Sequence, residues 1–139
     1  MIILDTNVLS ELMKPQGSET VLLWVDSQPI SELFITSISQ AEILYGIAIL
    51  PAGAKKQTLY KTAQLMFKTD FVNKILSFEQ SAAPTFAAIA SHRRKQGKPI
   101  STFDAQIAAI CRYHQATIAT RNVKDFVDCS IEIVNPWKQ

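Results

Sequence analysis

Three acidic residues stand where folding could bring them together. Asp5 directly follows the apolar run Ile2-Ile3-Leu4, Glu42 lies inside a helical stretch, and Asp104 opens another helix. In the stretch around Glu42 the apolar positions Ile38, Ala41, Tyr45 and Ile49 recur at helical spacing, and residues three and four apart share a helix face. That stripe is expected to face the core and to carry Glu42 inward with it. Asp104 precedes Ile107, Ala108 and Cys111 by helical steps, so it too starts on the buried side. Each acid has an ordinary reading by itself: Asp5 as an Asx-turn or helix cap into Thr6-Asn7, Asp104 as a helix-start acid favoured by the macrodipole, Glu42 as half of an ion pair. Together they form a different object. Converging carboxylates without a cation raise one another's pKa and repel, and a buried charge is costly unless it is paired, neutralised or bound to metal. A divalent cation resolves that conflict, and oxygen-only ligands select Mg²⁺ or Mn²⁺ over zinc.

The elements that would position these acids alternate in type. Apolar runs at Ile2–Leu4, Leu33–Thr36, Lys74–Ser77, Thr117–Thr120 and Ile131–Val134 read as strands. Helices are expected over Asn7–Lys14, Ser18–Asp26, Ser37–Leu50, Gly53–Phe71, Gln80–Gln96 and Ser101–His114. Strands joined through helices imply a parallel sheet covered on both faces, so the expected fold is α/β: a three-layer α/β/α sandwich on a five-stranded, mainly parallel sheet. In such folds ligands bind outside the carboxyl ends of the strands. Asp5 ends the first strand there, Thr120 ends the fourth, and Arg121, Asn122 and Asp125 follow it. Thr6, Asn7, Thr120 and Arg121 are the candidates for contacting a substrate, and Lys124 joins Arg121 as a candidate for touching a phosphate.

The rest of the chain narrows the classes. Its 139 residues, without repeat, linker or charge block, read as one domain over residues 1–139. Apolar residues make up 47% and charged residues 19%, which excludes a disordered chain. A net charge of +2 neither demands nor forbids a nucleic-acid partner. No apolar run is long enough for a bilayer, and Asp5 interrupts the apolar start with no basic region before it, unlike a signal peptide. Cys111 and Cys129 form no C-x-x-C pair, so neither zinc nor a disulfide framework is signalled, and a cytoplasmic location is expected. Neither a nucleophile elbow nor a phosphate-binding glycine loop is present. A phosphoacceptor receiver domain would need Asp and Lys where Ser77-Phe78 and Asn135-Pro136 stand. The densest basic cluster, His92-Arg93-Arg94-Lys95 with Lys98, reads either as a helix C-terminus closed by Gly97 or as a phosphate-backbone contact.

With these residues assembled, the chain resembles the PIN-domain ribonucleases, and specifically the VapC/FitB-like toxins of type II toxin–antitoxin modules. The likeness rests on M-I-I-L-D-T-N-V-L-S-E at the start, A-E-I-L-Y-G around Glu42, F-D-A-Q-I-A-A around Asp104, A-T-R-N-V-K-D-F over Ala119–Phe126 and N-P-W at Asn135–Trp137. It implies a Mg²⁺-dependent endoribonuclease, with Mn²⁺ as a substitute, hydrolysing RNA phosphodiester bonds. By the family's motifs Asp5, Glu42 and Asp104 are the site acids, with Asp5 and Asp104 as direct metal ligands. Some relatives carry Asp where this chain has Asn122, so the fourth position belongs either to Asn122 or to Asp125 three residues on. The resemblance further implies a homodimer and a cognate antitoxin. Because of Asn122, a non-catalytic RNA-binding or regulatory PIN-like module is the alternative.

Overall fold

The computed structural model describes residues 1–138. Strands β1 (Ile2–Leu4), β2 (Leu33–Thr36), β3 (Ile75–Leu76), β4 (Thr117–Ala119) and β5 (Glu132–Val134) form one sheet in the order β3-β2-β1-β4-β5. All four pairings are parallel, with Ile3 opposite both Phe34 and Ile118 and Leu4 opposite Ala119. The helices are α1 (Thr6–Met13), α2 (Glu19–Asp26), α3 (Ser37–Ala48), α4 (Ala54–Leu65), α5 (Ala83–Lys95) and α6 (Thr102–Tyr113). None of them is long and apolar enough to cross a membrane.

Alternation along the strands divides the core into two layers. Leu4, Ile35 and Ala119 face α1–α4, where Val8, Leu9, Val21, Trp24, Ile43, Ile47 and Ala63 meet them. Ile3 and Ile118 face the other way, onto Ile89 of α5 and the run Ile107–Cys111 of α6. Each fully buried aliphatic side chain stabilises the fold by roughly 1.5–3 kcal/mol relative to exposure. The shortest strands are therefore held by side chains on both faces as much as by their few ladder bonds.

Two expectations are corrected here. The inward face of α3 is Ser39, Ile43 and Ile47; Ala41 is exposed, and so are Tyr45 (67%) and Ile49 (65%), leaving Ile38 only partly buried. This helix is apolar on most of its circumference, so two stripes compete, and a buried serine on the winning one hides it. The expected single helix over Gly53–Phe71 instead ends as α4 and widens into a π-helical turn over Met66–Asp70, closed by Phe71 N–H donating to Met66 O at 3.1 Å. The wider turn buries Met66, Phe67 and Phe71 together, a set that a 3.6-residue period does not align.

Candidate functional site

The strand order reverses direction across β1 and β4, and the crevice for ligands in an open α/β sheet lies beyond the carboxyl ends at such a point. Asp5 leaves β1 there with its backbone still in the sheet, its N–H donating to Ala119 O at 2.9 Å. Its side chain caps α1, taking Thr6 N–H on Oδ1 at 2.8 Å. The other oxygen, Oδ2, accepts from the Thr120 hydroxyl at 2.8 Å and from Asn7 Nδ2 at 3.3 Å. Asp5 is thus both the cap and a pinned, buried carboxylate, 4% exposed. Burial pushes its pKa above the ordinary carboxylate value; the bonds from Thr120, Thr6 and Asn7 oppose this, and the charge of Asp125 adds to it.

Glu42 comes from α3, on the flank of its buried face. The Thr6 hydroxyl donates to Oε1 of Glu42 at 3.0 Å and stands 2.9 Å from the fully buried Ser39 hydroxyl. Thr36 ends β2 and caps α3, accepting from Ser39 N–H at 3.1 Å. The first turns of α1 and α3 are therefore tied through hydroxyls, and that tie fixes where Glu42 sits. Burial raises the Glu42 pKa, the Thr6 bond lowers it, and Asp5 and Asp104 raise it further. Asp104 occupies the third position of α6, whose cap Ser101 accepts its N–H at 3.1 Å. Burial raises Asp104 as well, against a side-chain hydrogen bond from Ser101 to its carboxyl, with Asp5 and Asp125 adding and Arg93 opposing.

Three of the acids thus carry pKa values raised first by burial, with the Asp5 charge acting on both Glu42 and Asp104 although they come from three different elements. Among the described residues the ion pairs are Met1 with Glu32 and Lys14 with Glu11, and neither touches these acids. Asn122 and Asp125 lie on the turn after β4, both exposed. The Asn122 backbone N–H donates to Thr120 Oγ1 at 3.0 Å, so the same hydroxyl that holds Asp5 also holds this turn.

Thr6, Asn7 and Thr120, expected as substrate contacts, direct their side chains to the acids, and Asn7 Oδ1 also accepts from Arg121 N–H at 3.2 Å. The basic cluster splits. Arg94 and Lys95 are exposed, and Gly97 takes the positive φ of 74° expected of a helix stop. Arg93 turns inward, 5% exposed. Its guanidinium donates to the carbonyls of Lys98 (2.8 Å), Asp125 (2.9 Å) and Val127 (3.0 Å), anchoring the segment that carries Asp125. Arg93 is thus a buried basic residue whose charge acts on Asp104, and carbonyl oxygens, not carboxylates, satisfy its hydrogen bonds. Ser39 and Arg93 escape sequence reading, because neither a buried hydroxyl on an apolar helix nor one inward arginine in a basic run has a distinctive pattern. Thr36 was readable as a cap directly before a helix.

The donor set suits a hard divalent cation: every candidate is a carboxylate oxygen, and their mutual repulsion is offset by no ion pair among the described residues. No three Asp, Glu, His or Cys groups among those residues already close on one point. Mg²⁺ does not require it, since it keeps several waters and is held through one or two carboxylates plus substrate phosphate.

A parallel α/β sheet with carboxylates gathered at its switch point defines a class, and the comparisons with known proteins agree with it. The PIN domain family model matches residues 2–129. Toxin FitB of Neisseria gonorrhoeae is 36% identical over 137 residues, covering 99% of each chain. Plasmid stability protein StbB of Pseudomonas syringae is 34% identical and VapC ribonuclease Y4jK of Sinorhizobium fredii 33%, each over 138 residues and 99% of both chains. The crystal structure of FitAcB from Neisseria gonorrhoeae superposes with a TM-score of 0.92 at 36% identity, over 100% of both chains. The chain belongs to the PIN-domain family, among the VapC/FitB-type toxins of type II toxin–antitoxin systems.

Proposed function

We propose that the protein is a Mg²⁺-dependent endoribonuclease, the toxin of a toxin–antitoxin pair, with Asp5, Glu42 and Asp104 as its site acids. Family membership supports a metal-dependent ribonuclease role. The observation that carries the reading to these residues is three buried or part-buried carboxyls from three elements at one sheet edge, their pKa values raised by burial first and by neighbouring acids second, with no ion pair on them among the described residues. Asp5 and Asp104 would hold Mg²⁺, for which Mn²⁺ can substitute. When bound, such an ion supplies the positive charge that lowers the pKa of a water and offsets charge on a transferring phosphate. The chain's own part is positioning: Thr120, Asn7 and Thr6 N–H hold Asp5, the Thr6 hydroxyl holds Glu42, and Arg121 reaches for substrate phosphate. Antitoxin complexes among the relatives, FitAcB and FitAB bound to a DNA fragment, support a cognate antitoxin partner. A homodimer completes the proposal.

The test is cleavage of end-labelled RNA by the purified protein in a Mn²⁺ titration with an EDTA control. Cleavage that appears with metal and disappears in Asp104→Asn is expected. RNA binding without cleavage at saturating Mn²⁺ would instead establish the non-catalytic module.

Asp125 rather than Asn122 is proposed to supply the fourth charge, because the Asp125 charge already acts on Asp5 and Asp104. Asp125→Asn is therefore expected to shift the Mg²⁺ concentration for half-maximal cleavage upward by about tenfold or more, as loss of a supporting ligand does. Asn122→Ala is expected to shift it less. Superimposable Mg²⁺ titrations of Asp125→Asn and wild type would refute the assignment.

A further inference from the structure

Beside the acids, the turns after β4 and β5 enclose a cavity of about 360 Å³ lined by Arg121, Lys124 and Lys138, with Asn122, Asn135 and Asp125 on its walls. It lies at the same carboxyl edge of the sheet, and Asp125, which lines it, is also the acid whose charge acts on Asp5 and Asp104. Arg121 is not a free surface arginine. Its guanidinium carbon lies 5.2 Å over the ring of Trp137, and its backbone N–H is held by Asn7, the residue that also grips Asp5. Trp137 is itself fixed, its side chain packed against the α1–α4 core layer and its backbone N–H donating to Asn135 Oδ1 at 3.0 Å. Stacking on an aromatic face holds the planar fork in place, so less side-chain freedom is lost when it engages an anion.

We propose that this cavity is a second phosphate subsite, receiving the phosphodiester next along the strand from the one placed at the acids. It rests on the ribonuclease reading above and extends it to a named set of residues. The juxtaposition favours a polyanion with regularly spaced charges. One phosphate faces carboxylates that need a divalent cation, and its neighbour meets one held arginine and two exposed lysines against a single carboxylate. Arginine matches phosphate oxygens through two parallel N–H bonds, and the two lysines add point charges around it.

The experiment measures binding of a labelled single-stranded RNA to Asp104→Asn protein, in which the strand stays whole, by anisotropy across a salt series at constant Mg²⁺. Each lost phosphate contact reduces the slope of log K against log salt by about 0.7 for a single strand. Adding Arg121→Gln, Lys124→Gln and Lys138→Gln together, which removes the one phosphate held there, is expected to reduce it by about 0.7. All three side chains are exposed, so folding is not at issue. Arg121→Lys, which keeps the charge but loses the stacked fork, is expected to keep the slope while binding several-fold more weakly. An unchanged slope in the triple variant overturns the subsite, and so does an absence of RNA binding by the parent. A triple variant that loses an acidic peptide while RNA binding is untouched overturns it in favour of a protein partner. Cleavage by the unmutated chain, run in parallel with Mn²⁺, separates the two readings. Cleavage with an unchanged slope sinks only the subsite; a reduced slope without cleavage sinks only the nuclease.

Discussion

Expression of the chain alone is expected to arrest growth of a bacterial host, and Asp104→Asn is expected to release that arrest. The motivation is the acid set at the switch point together with membership among the VapC/FitB-type toxins. Asp104 is the better position for this test than Asp5. The Ser101 cap accepts the backbone N–H of residue 104, and an amide oxygen can still accept from the Ser101 hydroxyl, so a side-chain amide leaves the start of α6 intact. Removing even a supporting group around a metal costs up to about a hundredfold in affinity or activity, so loss of a direct ligand should lower RNA cleavage by at least that factor. Colony counts after induction, alongside cleavage by the purified variant, provide the measurement. A soluble, folded Asp104→Asn protein as toxic as its parent would remove Asp104 from the site.

Thermal melts are expected to show the second large effect, with opposite signs at neighbouring acids. Asp5, Glu42 and Asp104 each hold a proton more tightly in the native state than in the unfolded chain. Between the ordinary carboxylate value and the raised native one the folded protein binds more protons. The stability that these groups contribute is present at low pH and is lost as pH rises through that window. At neutral pH all three are therefore burdens on the metal-free fold. Glu42→Gln relieves one of them. The amide oxygen still accepts from Thr6, the charge is gone, and after allowance for its partial exposure the gain should be about 0.5–1 kcal/mol, roughly 2–4 °C. The difference from wild type should vanish below pH 4.5, the ordinary glutamate value. Asp5→Asn should go the other way. Its new NH₂ would face Asn7 Nδ2 and the Thr120 hydroxyl, which already takes hydrogen from Asn7 and Asn122. Excess Mn²⁺, at about a hundred times its dissociation constant, should stabilise wild type by about 2.7 kcal/mol, on the order of 10 °C. It should do much less for Asp5→Asn. A Glu42→Gln protein that melts well below wild type in EDTA at pH 7.5 would show that Glu42 holds the fold together rather than straining it.

Much of this arrangement could be read before any coordinates. Asp5 at a strand end and Asp104 in a helix's first turn follow from local pattern alone, and so does the parallel sheet, since strands separated by helices leave few other solutions. Glu42 does lie inward, but not on the stripe that its apolar neighbours suggest. The stripe through Tyr45 and Ile49 faces out, and Glu42 is half-buried because it flanks Ser39 and Ile43 and is tied to Thr6. Hydrogen bonds between hydroxyls 33 residues apart leave no mark on a single sequence. Nor does the inward turn of Arg93, which depends on carbonyls of a segment more than thirty residues away.

The grip of Thr120 on Asp5, across 115 residues of chain, also sets when the protein can act. The central strand β1 is the first to be synthesised, yet one of its two neighbours, β4, is among the last, and parallel pairings of such separation form slowly because loop closure precedes any reward. A nascent chain already carries Asp5 and Glu42 on separate, unregistered segments. Asp5 acquires its Thr120 partner, and the turn bearing Asn122 and Asp125 takes its place, only when the chain through Asp125 has emerged. The ribosome making this chain is thus separated in time from the activity its product is proposed to have.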